Sequence, residues 1–110
     1  MLIYKIIPRA EWEKVATAYD GSADDKRDGF IHFSTRAQLP GTLTRHYAGQ
    51  TDLMLLAVEA ESLGAALKWE HAPKRNEDFP HLYAALQKNA VLQATPITRG
   101  LDGEYLLPPE

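Results

Sequence analysis

Apolar residues occur in short runs along the chain, and most of these runs predict β-strands. Leu2 to Ile7 is rich in β-branched side chains and meets Pro8, which has no N–H to donate to a central ladder. Leu53 to Val58 is almost continuously apolar, which is typical of a strand covered on both faces. Shorter or alternating runs predict further strands over 30–34, 67–71, 91–98 and 104–107. Most of the strand signal therefore lies in the second half of the chain.

A helical spacing of apolar residues follows the first predicted strand. Four apolar side chains recur at i, i+3, i+4 and i+7, namely Trp12, Val15, Ala16 and Tyr19. They predict an amphipathic helix of about two turns with one buried stripe. Residues 20–29 are polar and include two glycines, so they predict a surface loop.

A second helix is predicted in the middle of the chain. Its apolar residues share a spacing of four: Leu39, Leu43 and Tyr47. Ser34 or Thr35 is the candidate N-cap, and Gly49 is a plausible C-terminal stop. Residues 72–80 are charged and predict a loop between two of the later strands.

The predicted elements define a fold class. Strand runs interrupted by only two modest helices indicate an α+β fold rather than regular βαβ winding. We expect a single domain over residues 1–110, with a curved, mainly antiparallel β-sheet and two main helices. The length of 110 residues agrees with this, because it suits one hydrophobic core and is short for two.

The composition narrows the classes of function. With 45% hydrophobic and 25% charged residues the chain is typical of a globular protein, and zero cysteines exclude disulfides, thiolate nucleophiles and cysteine zinc sites. The net charge of -3 provides no basic field, so neither nucleic acid nor an anionic membrane is an expected partner. The apolar run at 1–7 is too short for a signal peptide or a membrane span, and we expect a cytoplasmic protein.

The segment from Asp28 to Thr35 is the most informative stretch for function. In a strand, Phe30, His32 and Ser34 share one face, so two polar groups meet near the end of that strand. An imidazole in such a place can act as a base or bond a ligand hydroxyl. His32 is therefore a candidate catalytic residue and Ser34 a candidate ligand-binding residue. A half-buried histidine satisfied by backbone groups is the alternative.

Two further candidates lie on or near the second predicted helix. Ser34 and Thr35 begin that helix, where free N–H groups and the positive end of the dipole favour an anion such as phosphate. Simple N-capping is the alternative for either hydroxyl. His46 comes three residues after Leu43 and is placed to border a cleft, so we add it to the candidate ligand-binding residues.

Aromatic and acidic candidates come from the second half of the chain. Phe79 to Tyr83 places two aromatic rings and the imidazole of His81 around a proline, in what we expect to be an exposed loop. Exposed aromatic rings pack or bind something, so His81 and Tyr83 are candidate ligand-binding residues, with loop anchoring as the alternative. Glu70 is the candidate catalytic carboxylate, and a solvated side chain is its alternative. The four histidines lack metal-ligand spacing, and no metal is expected.

The overall pattern resembles the bacterial family known as Domain of Unknown Function 952. The segments that carry the resemblance span nearly the whole chain: Ile3 to Ile6, Asp28 to Thr35, Thr44 to Tyr47, Asp52 to Val58, Leu67 to Glu70 and Phe79 to Tyr83. That family is similar in turn to the ADP-ribosyltransferase superfamily, through Gly29 to Ser34 and the following helix that contains Tyr47. The resemblance implies a split, curved β-sheet around a cleft for NAD.

The resemblance also implies roles for individual residues. The cleft would take a nucleotide-like ligand, NAD or ADP-ribose. His32 and Ser34 would line the pocket, and Tyr83 would stack on the ligand. If the protein is catalytic, Glu70 or Glu104 would stabilise the positive charge that develops during ribosyl transfer.

The sequence therefore leaves two classes of function open, an enzyme and a binding module. The first strand carries Tyr4 and Lys5 where ADP-ribosyltransferases usually have a histidine or an arginine, so the residues leave open whether the protein is an enzyme. The alternative is a non-enzymatic module that binds a metabolite or a protein on the same fold. The oligomeric state is also open.

Overall fold

Residues 1–108 are the part of the chain that the computed structural model describes, and they form nine β-strands and three short α-helices. The strands are β1 (Leu2–Pro8), β2 (Ala18–Tyr19), β3 (Ile31–His32), β4 (Leu53–Glu59), β5 (Leu67–Ala72), β6 (Glu77–Leu82), β7 (Leu86–Gln87), β8 (Val91–Arg99) and β9 (Tyr105–Leu106). The helices are α1 (Arg9–Glu13), α2 (Ala23–Asp28) and α3 (Leu39–His46). None of these helices is long and apolar enough to cross a membrane.

The strands of this part of the chain pair in antiparallel fashion. One sheet has the order β1-β4-β8-β9, a second has the order β3-β6-β5, and β2 pairs with β7. The two larger sheets meet at a bridge between Tyr4 and Ser34, which exchange two backbone hydrogen bonds of 2.8 Å. The result is a curled antiparallel sheet with few helices, so the predicted α+β class is confirmed.

The central strand β4 explains why a core forms on both sides of the first sheet. Residues 53–58 are all buried, and their side chains point alternately to the two faces. Met54 and Leu56 pack in one cluster with the second sheet, whereas Leu53 and Leu55 pack in another with α3. The prediction of a strand covered on both faces is therefore confirmed.

The predicted helix across residues 12–19 is wrong in its extent. Helix α1 ends at Glu13, and Tyr19 lies in β2, paired with β7. Ala16 is exposed, yet Val15 and Tyr19 still belong to one core cluster. The helical spacing thus reflects side chains that reach the same core from a helical turn, a loop and a strand.

The predicted surface loop over 20–29 contains helix α2. The Oγ of Ser22 accepts from the N–H of Asp25 at 3.1 Å, and the Asp25 carboxylate accepts from the N–H of Ser22 at 2.9 Å. Gly29 ends the helix in the left-handed region, with φ of 87°. Because α2 has no apolar stripe, hydrophobic periodicity could not reveal it.

The loop predicted over 72–80 is confirmed only as a turn at 73–76, and the loop predicted over 79–83 is wrong, because strand β6 runs from Glu77 to Leu82. It lies between β3 and β5, and Phe79 and His81 are only 7% and 8% exposed. Pro80 misleads the sequence-based reading, since proline is rare in a central strand. The carbonyl of Pro80 still accepts a hydrogen bond of 3.0 Å from the backbone N–H of Phe33, just after β3. Pro80 therefore still contributes to the pairing of the two strands.

The second predicted helix is confirmed as α3, although it begins at Leu39 and not directly after the predicted N-cap at Ser34 or Thr35. Thr35 caps a 3-10 turn at 36–38, where its Oγ1 accepts from the N–H of Gln38 at 3.3 Å. Pro40 then lies in the first turn of α3, where a missing N–H costs nothing. Ser34 is not a cap, because it forms the bridge to β1.

Candidate histidine site

Five side chains come together on one face of the second sheet. We name this the imidazole face, and its members are Phe30, His32, Glu70, His81 and Tyr83. His32 lies directly opposite His81 in the antiparallel register, and their ring centroids are 5.6 Å apart. Ile31 and Leu82 point the other way and are buried in the core. Strand alternation therefore presents the polar residues on the outer side.

His32 is held between two carboxylates. Its Nδ1 lies 2.6 Å from Oδ1 of Asp25, and its Nε2 lies 3.0 Å from Oδ2 of Asp28. Because a carboxylate only accepts, Nδ1 carries the proton in the bond to Asp25. The His32 side chain is 38% exposed, whereas Asp25 is 2% exposed. The ring is thus fixed from behind by a buried acid, and the partly exposed Asp28 lies at its other nitrogen.

Asp25 also forms a buried ion pair with Lys5. The Nζ of Lys5 donates to both carboxylate oxygens, at 2.9 and 3.1 Å. Burial acts to raise the pKa of Asp25, but the hydrogen bond from His32 and the charge of Lys5 outweigh it and hold that pKa below its usual value. Burial lowers the pKa of Lys5, and the charge of Asp25 opposes that effect. Asp25 is therefore ionised at neutral pH and fixes the orientation of His32.

Glu70 orients the second imidazole. Its Oε1 lies 2.8 Å from Nδ1 of His81 and accepts from the hydroxyl of Tyr83 at 2.6 Å. The bond from Tyr83, followed by that from His81, lowers the pKa of Glu70, and the same contact with Glu70 raises the pKa of Tyr83. Each imidazole thus has a carboxylate at Nδ1, an arrangement that sets the tautomer of functional histidines.

Phe30 covers part of the imidazole face. Its ring stacks on His81 with centroids 3.9 Å apart, and it lies 4.6 Å from His32 and 5.3 Å from Tyr83. A cavity of about 270 Å³ opens beside this cluster, with Asp25, Phe30 and Tyr83 among its lining residues. Phe30 and Tyr83 therefore belong both to the imidazole face and to the wall of this cavity, whereas His32, Glu70 and His81 are not among the residues that line it.

The other sequence-predicted residues have different partners. Ser34 is 5% exposed, and its Oγ bonds a hydroxyl of α3. Thr35 lines a separate cavity of about 480 Å³. His46 ends α3, and its pKa is lowered by partial burial and then by the charges of Arg75 and His32. The structure thus brings His32, Glu70, His81 and Tyr83 together and places these three residues outside that cluster.

Sequence reasoning missed Asp25, Lys5 and Phe30 as members of the site. Lys5 is the one charged residue in the apolar run 2–7, and a lysine in that position is a usable signal for a buried ion pair. Asp25 stands three residues after Ser22, which signals a capped helix but not a contact with β1. Phe30 carries no distinguishing signal beyond its place on the face of His32.

The fold and the site define a class of protein: a small α+β domain whose curled antiparallel sheet presents two histidines, each oriented by a carboxylate. The family model described as protein of unknown function (DUF952) matches residues 6–94. The chain belongs to this family, which confirms the family resemblance found in the sequence. No curated protein matches the chain.

Solved structures of protein CC0527 from Caulobacter crescentus are similar to the chain over nearly its whole length. The X-ray structure is 44% identical with a TM-score of 0.89, over 96% of this chain and 94% of that one. The solution NMR structure is 45% identical with a TM-score of 0.82, over 94% and 90% of the two chains. These likenesses establish the fold and the family, so the question of function rests on the site itself.

Proposed function

We propose that this domain is cytoplasmic and binds a nucleotide-like ligand, NAD or ADP-ribose, on the imidazole face. The observation that carries the proposal is the pair of Asp25 and His32, in which a buried carboxylate 2.6 Å from Nδ1 holds a half-exposed ring. Burying the charges of Asp25 and Lys5 behind an open imidazole is costly, and such arrangements concentrate at functional sites. The inferred likeness to ADP-ribosyltransferases supports the choice of ligand.

The aromatic residues support a planar group in the ligand. Phe30 and Tyr83 line the cavity of about 270 Å³, and Tyr83 is 43% exposed. Exposed aromatic faces favour stacking on planar rings. Two cations stand close by, since Lys26 lines the same cavity and the Nζ of Lys68 lies 5.1 Å from the centroid of the Tyr83 ring. A planar ring matches the aromatic part of this surface, and the two lysines would pair with negatively charged groups attached to that ring, away from the Asp20 and Asp25 carboxylates that also line the cavity.

Ribosyl transfer is the reaction that these groups would support. The bond between C1′ of the ribose and the nicotinamide nitrogen breaks, and its electron pair leaves with nicotinamide. Glu70 faces the positive charge that develops at C1′. A hydroxyl group of the acceptor then bonds to C1′, and its proton passes to Nε2 of His32, which can accept it once Asp28 has moved away with the proton shared between them.

Calorimetric titration of the full chain with NAD and with ADP-ribose tests the binding, and chromatography of released nicotinamide tests the reaction. We expect saturable binding of both ligands and release of nicotinamide from NAD. His32→Gln should retain binding and slow transfer to a hydroxyl acceptor by about 100-fold, since it removes the base, whereas Glu70→Gln should slow the release of nicotinamide itself. His71→Gln is the matched control, because that histidine lies on the same sheet, on the opposite face and 54% exposed.

The outcomes separate the two classes of function. Binding of both ligands without release of nicotinamide would assign the non-enzymatic module. Failure of the wild-type chain to bind either ligand at millimolar concentration would overturn the proposal. Thermal unfolding of each variant shows whether a lost signal reflects the site or the fold.

A further inference from the structure

A second polar cluster surrounds Arg75, between the β5–β6 turn and α3. The side chain is 12% exposed. Its Nη1 donates to the hydroxyl of Thr42 at 2.9 Å, and its Nη2 donates to the carbonyl of Gln38 at 3.2 Å. Both acceptors are neutral, so a largely buried cation is held by groups that carry no charge.

The counter-charge of Arg75 is weak. The acidic group nearest to its guanidinium within residues 1–108 is Glu77, which is 4.0 Å from Nη2 and 49% exposed. Arg9 shows the contrast, because its Nε lies 2.7 Å from the Asp52 carboxylate although its side chain is 37% exposed. Burial lowers the pKa of Arg75, as expected for a cation that lacks close compensation. A buried cation ordinarily has a paired anion.

Donors remain available at this place. A guanidinium has five N–H groups, and two are used, so three have no acceptor in the described part of the chain. The hydroxyl of Thr42 is not among the free donors, because it donates to the carbonyl of Gln38 at 3.1 Å. Arg45 and His46 follow Thr42 on α3 at i+3 and i+4, on the same side of the helix. The surroundings are therefore rich in donors and positive charge.

The orientation of the Arg75 guanidinium is also fixed, because the group lies between the ring of Phe79 and the backbone of α3 at Gly41. The ring centroid of Phe79 lies 4.5 Å from Cζ of Arg75. On the helix, Gly41 leaves room for the group, since a Cβ built there would be 2.7 Å from Nη2. A guanidinium held between a ring and a helix backbone presents its N–H edge in a set direction, which suits bidentate contact with an oxyanion.

We infer that Arg75, held in place by Thr42 and Gln38 and flanked by His46 on α3, binds a phosphate-like oxyanion. The anion supplies acceptors for the remaining N–H groups and a close negative charge, where the described residues offer only Glu77 at 4.0 Å. Free phosphate and the phosphate group of a larger ligand offer the same chemistry. The inference does not depend on the proposed binding of NAD.

Titration of the wild-type chain with inorganic phosphate, followed by NMR, tests the inference, with chloride at equal ionic strength as the reference. We expect saturable shifts of the Arg75 Nε–Hε signal with phosphate and not with chloride. The pKa of His46 should rise when phosphate binds, because the anion offsets the neighbouring positive charges. A purely structural Arg75 would produce neither change.

Two variants separate binding from folding. Gly41→Ala should weaken phosphate binding by about tenfold or more, because the new methyl group displaces the guanidinium, while alanine favours the helix. Arg75→Lys should weaken binding by about tenfold through loss of the bidentate edge. Arg9→Lys is the matched control and should bind phosphate like the wild type.

Equal, non-saturating shifts with phosphate and chloride would overturn the inference. Unchanged phosphate affinity in both Gly41→Ala and Arg75→Lys would do the same. Tyr83→Phe should leave phosphate affinity within about twofold of the wild type, since its hydroxyl contacts Glu70 and is not part of this cluster. The titration with NAD tests the proposed function, and the titration with phosphate tests this inference, so either one can fail without the other.

Discussion

The two larger sheets are stabilised by different interactions. The β1-β4-β8-β9 sheet buries apolar side chains on both faces, and Leu56 at its centre is completely buried. The β3-β6-β5 sheet packs Ile31 and Leu82 into the core on one face, and its imidazole face is ordered by hydrogen bonds between side chains. Lys5 joins the two, because it lies opposite Leu56 in the first sheet and reaches Asp25 behind His32. Apolar burial thus stabilises the first sheet, and hydrogen bonds between side chains position the residues of the imidazole face on the second.

Breaking the link between the two regions should have the largest effect. Asp25→Asn leaves the Lys5 ammonium buried without its counter-charge, and we expect the free energy of unfolding to fall by about 3–5 kcal/mol. Urea denaturation measures this. Asp24→Asn, a neighbouring acid that is 66% exposed, is the control and should change stability by less than about 1 kcal/mol. If the two variants lowered the free energy of unfolding equally, the buried pair of Lys5 and Asp25 would contribute no more to stability than an exposed acid does.

The same residue should leave a signature in the pH dependence of stability. The pKa of Asp25 lies below its ordinary 3.8 in the folded protein, so its contribution is present above that value and is lost as the pH falls toward the folded pKa. The stability difference between wild type and Asp25→Asn should therefore be constant from neutral pH to about 5 and shrink below about 4. A difference that widens on acidification would contradict the assignment.

A substitution that creates a cavity in the β1-β4-β8-β9 sheet should have the next largest effect on the free energy of unfolding. Leu56→Ala removes a fully buried side chain from the central strand, and we expect a loss of about 3 kcal/mol in urea denaturation. Leu92→Ala, in the neighbouring strand β8 and at a position 61% exposed, should cost less than about 0.5 kcal/mol. The hydrogen bond between His32 and Asp25 should survive Leu56→Ala, which the NMR signal of the His32 ring N–H in the folded variant would check.

The apolar sheet is also the region that the sequence predicts well. The run 53–58 identifies β4 because burial on both faces requires continuous apolar residues. The spacing of Leu39 and Leu43 identifies α3 because one helix stripe faces the core. Residues 12–19 show the limit, since apolar positions reveal which side chains are buried but not that the chain changes from helix to strand between them.

The site is predicted only in part, because its contacts cross between elements. His32, Glu70, His81 and Tyr83 stand out as residue types, and the structure brings them together through strand register. Asp25 cannot be placed by periodicity, since α2 buries one acid and no apolar side chain. Its partnership with a lysine twenty positions earlier follows from tertiary packing, which no local pattern encodes.

A smaller effect should follow from the turn that leads into the imidazole face. Gly29 adopts φ of 87°, and no atom lies within 4 Å of a Cβ built there, so Gly29→Ala tests backbone strain alone. We expect a loss of about 1 kcal/mol in the free energy of unfolding. Gly29→Asn should recover part of it, because asparagine tolerates the left-handed region. An alanine variant as stable as wild type would show that the turn relaxes.

Removing one hydroxyl group from the imidazole face should have the smallest effect and the most specific readout. Tyr83→Phe deletes the bond that contributes most to the lowered pKa of Glu70, so that pKa should move up toward its ordinary 4.5. Carboxyl carbon NMR titration measures the change. Tyr105→Phe, whose hydroxyl donates to backbone carbonyls at the end of the first sheet, should leave Glu70 unaffected. If both variants titrate like the wild type, the Tyr83 contact does not orient Glu70, and His81 alone holds that carboxylate.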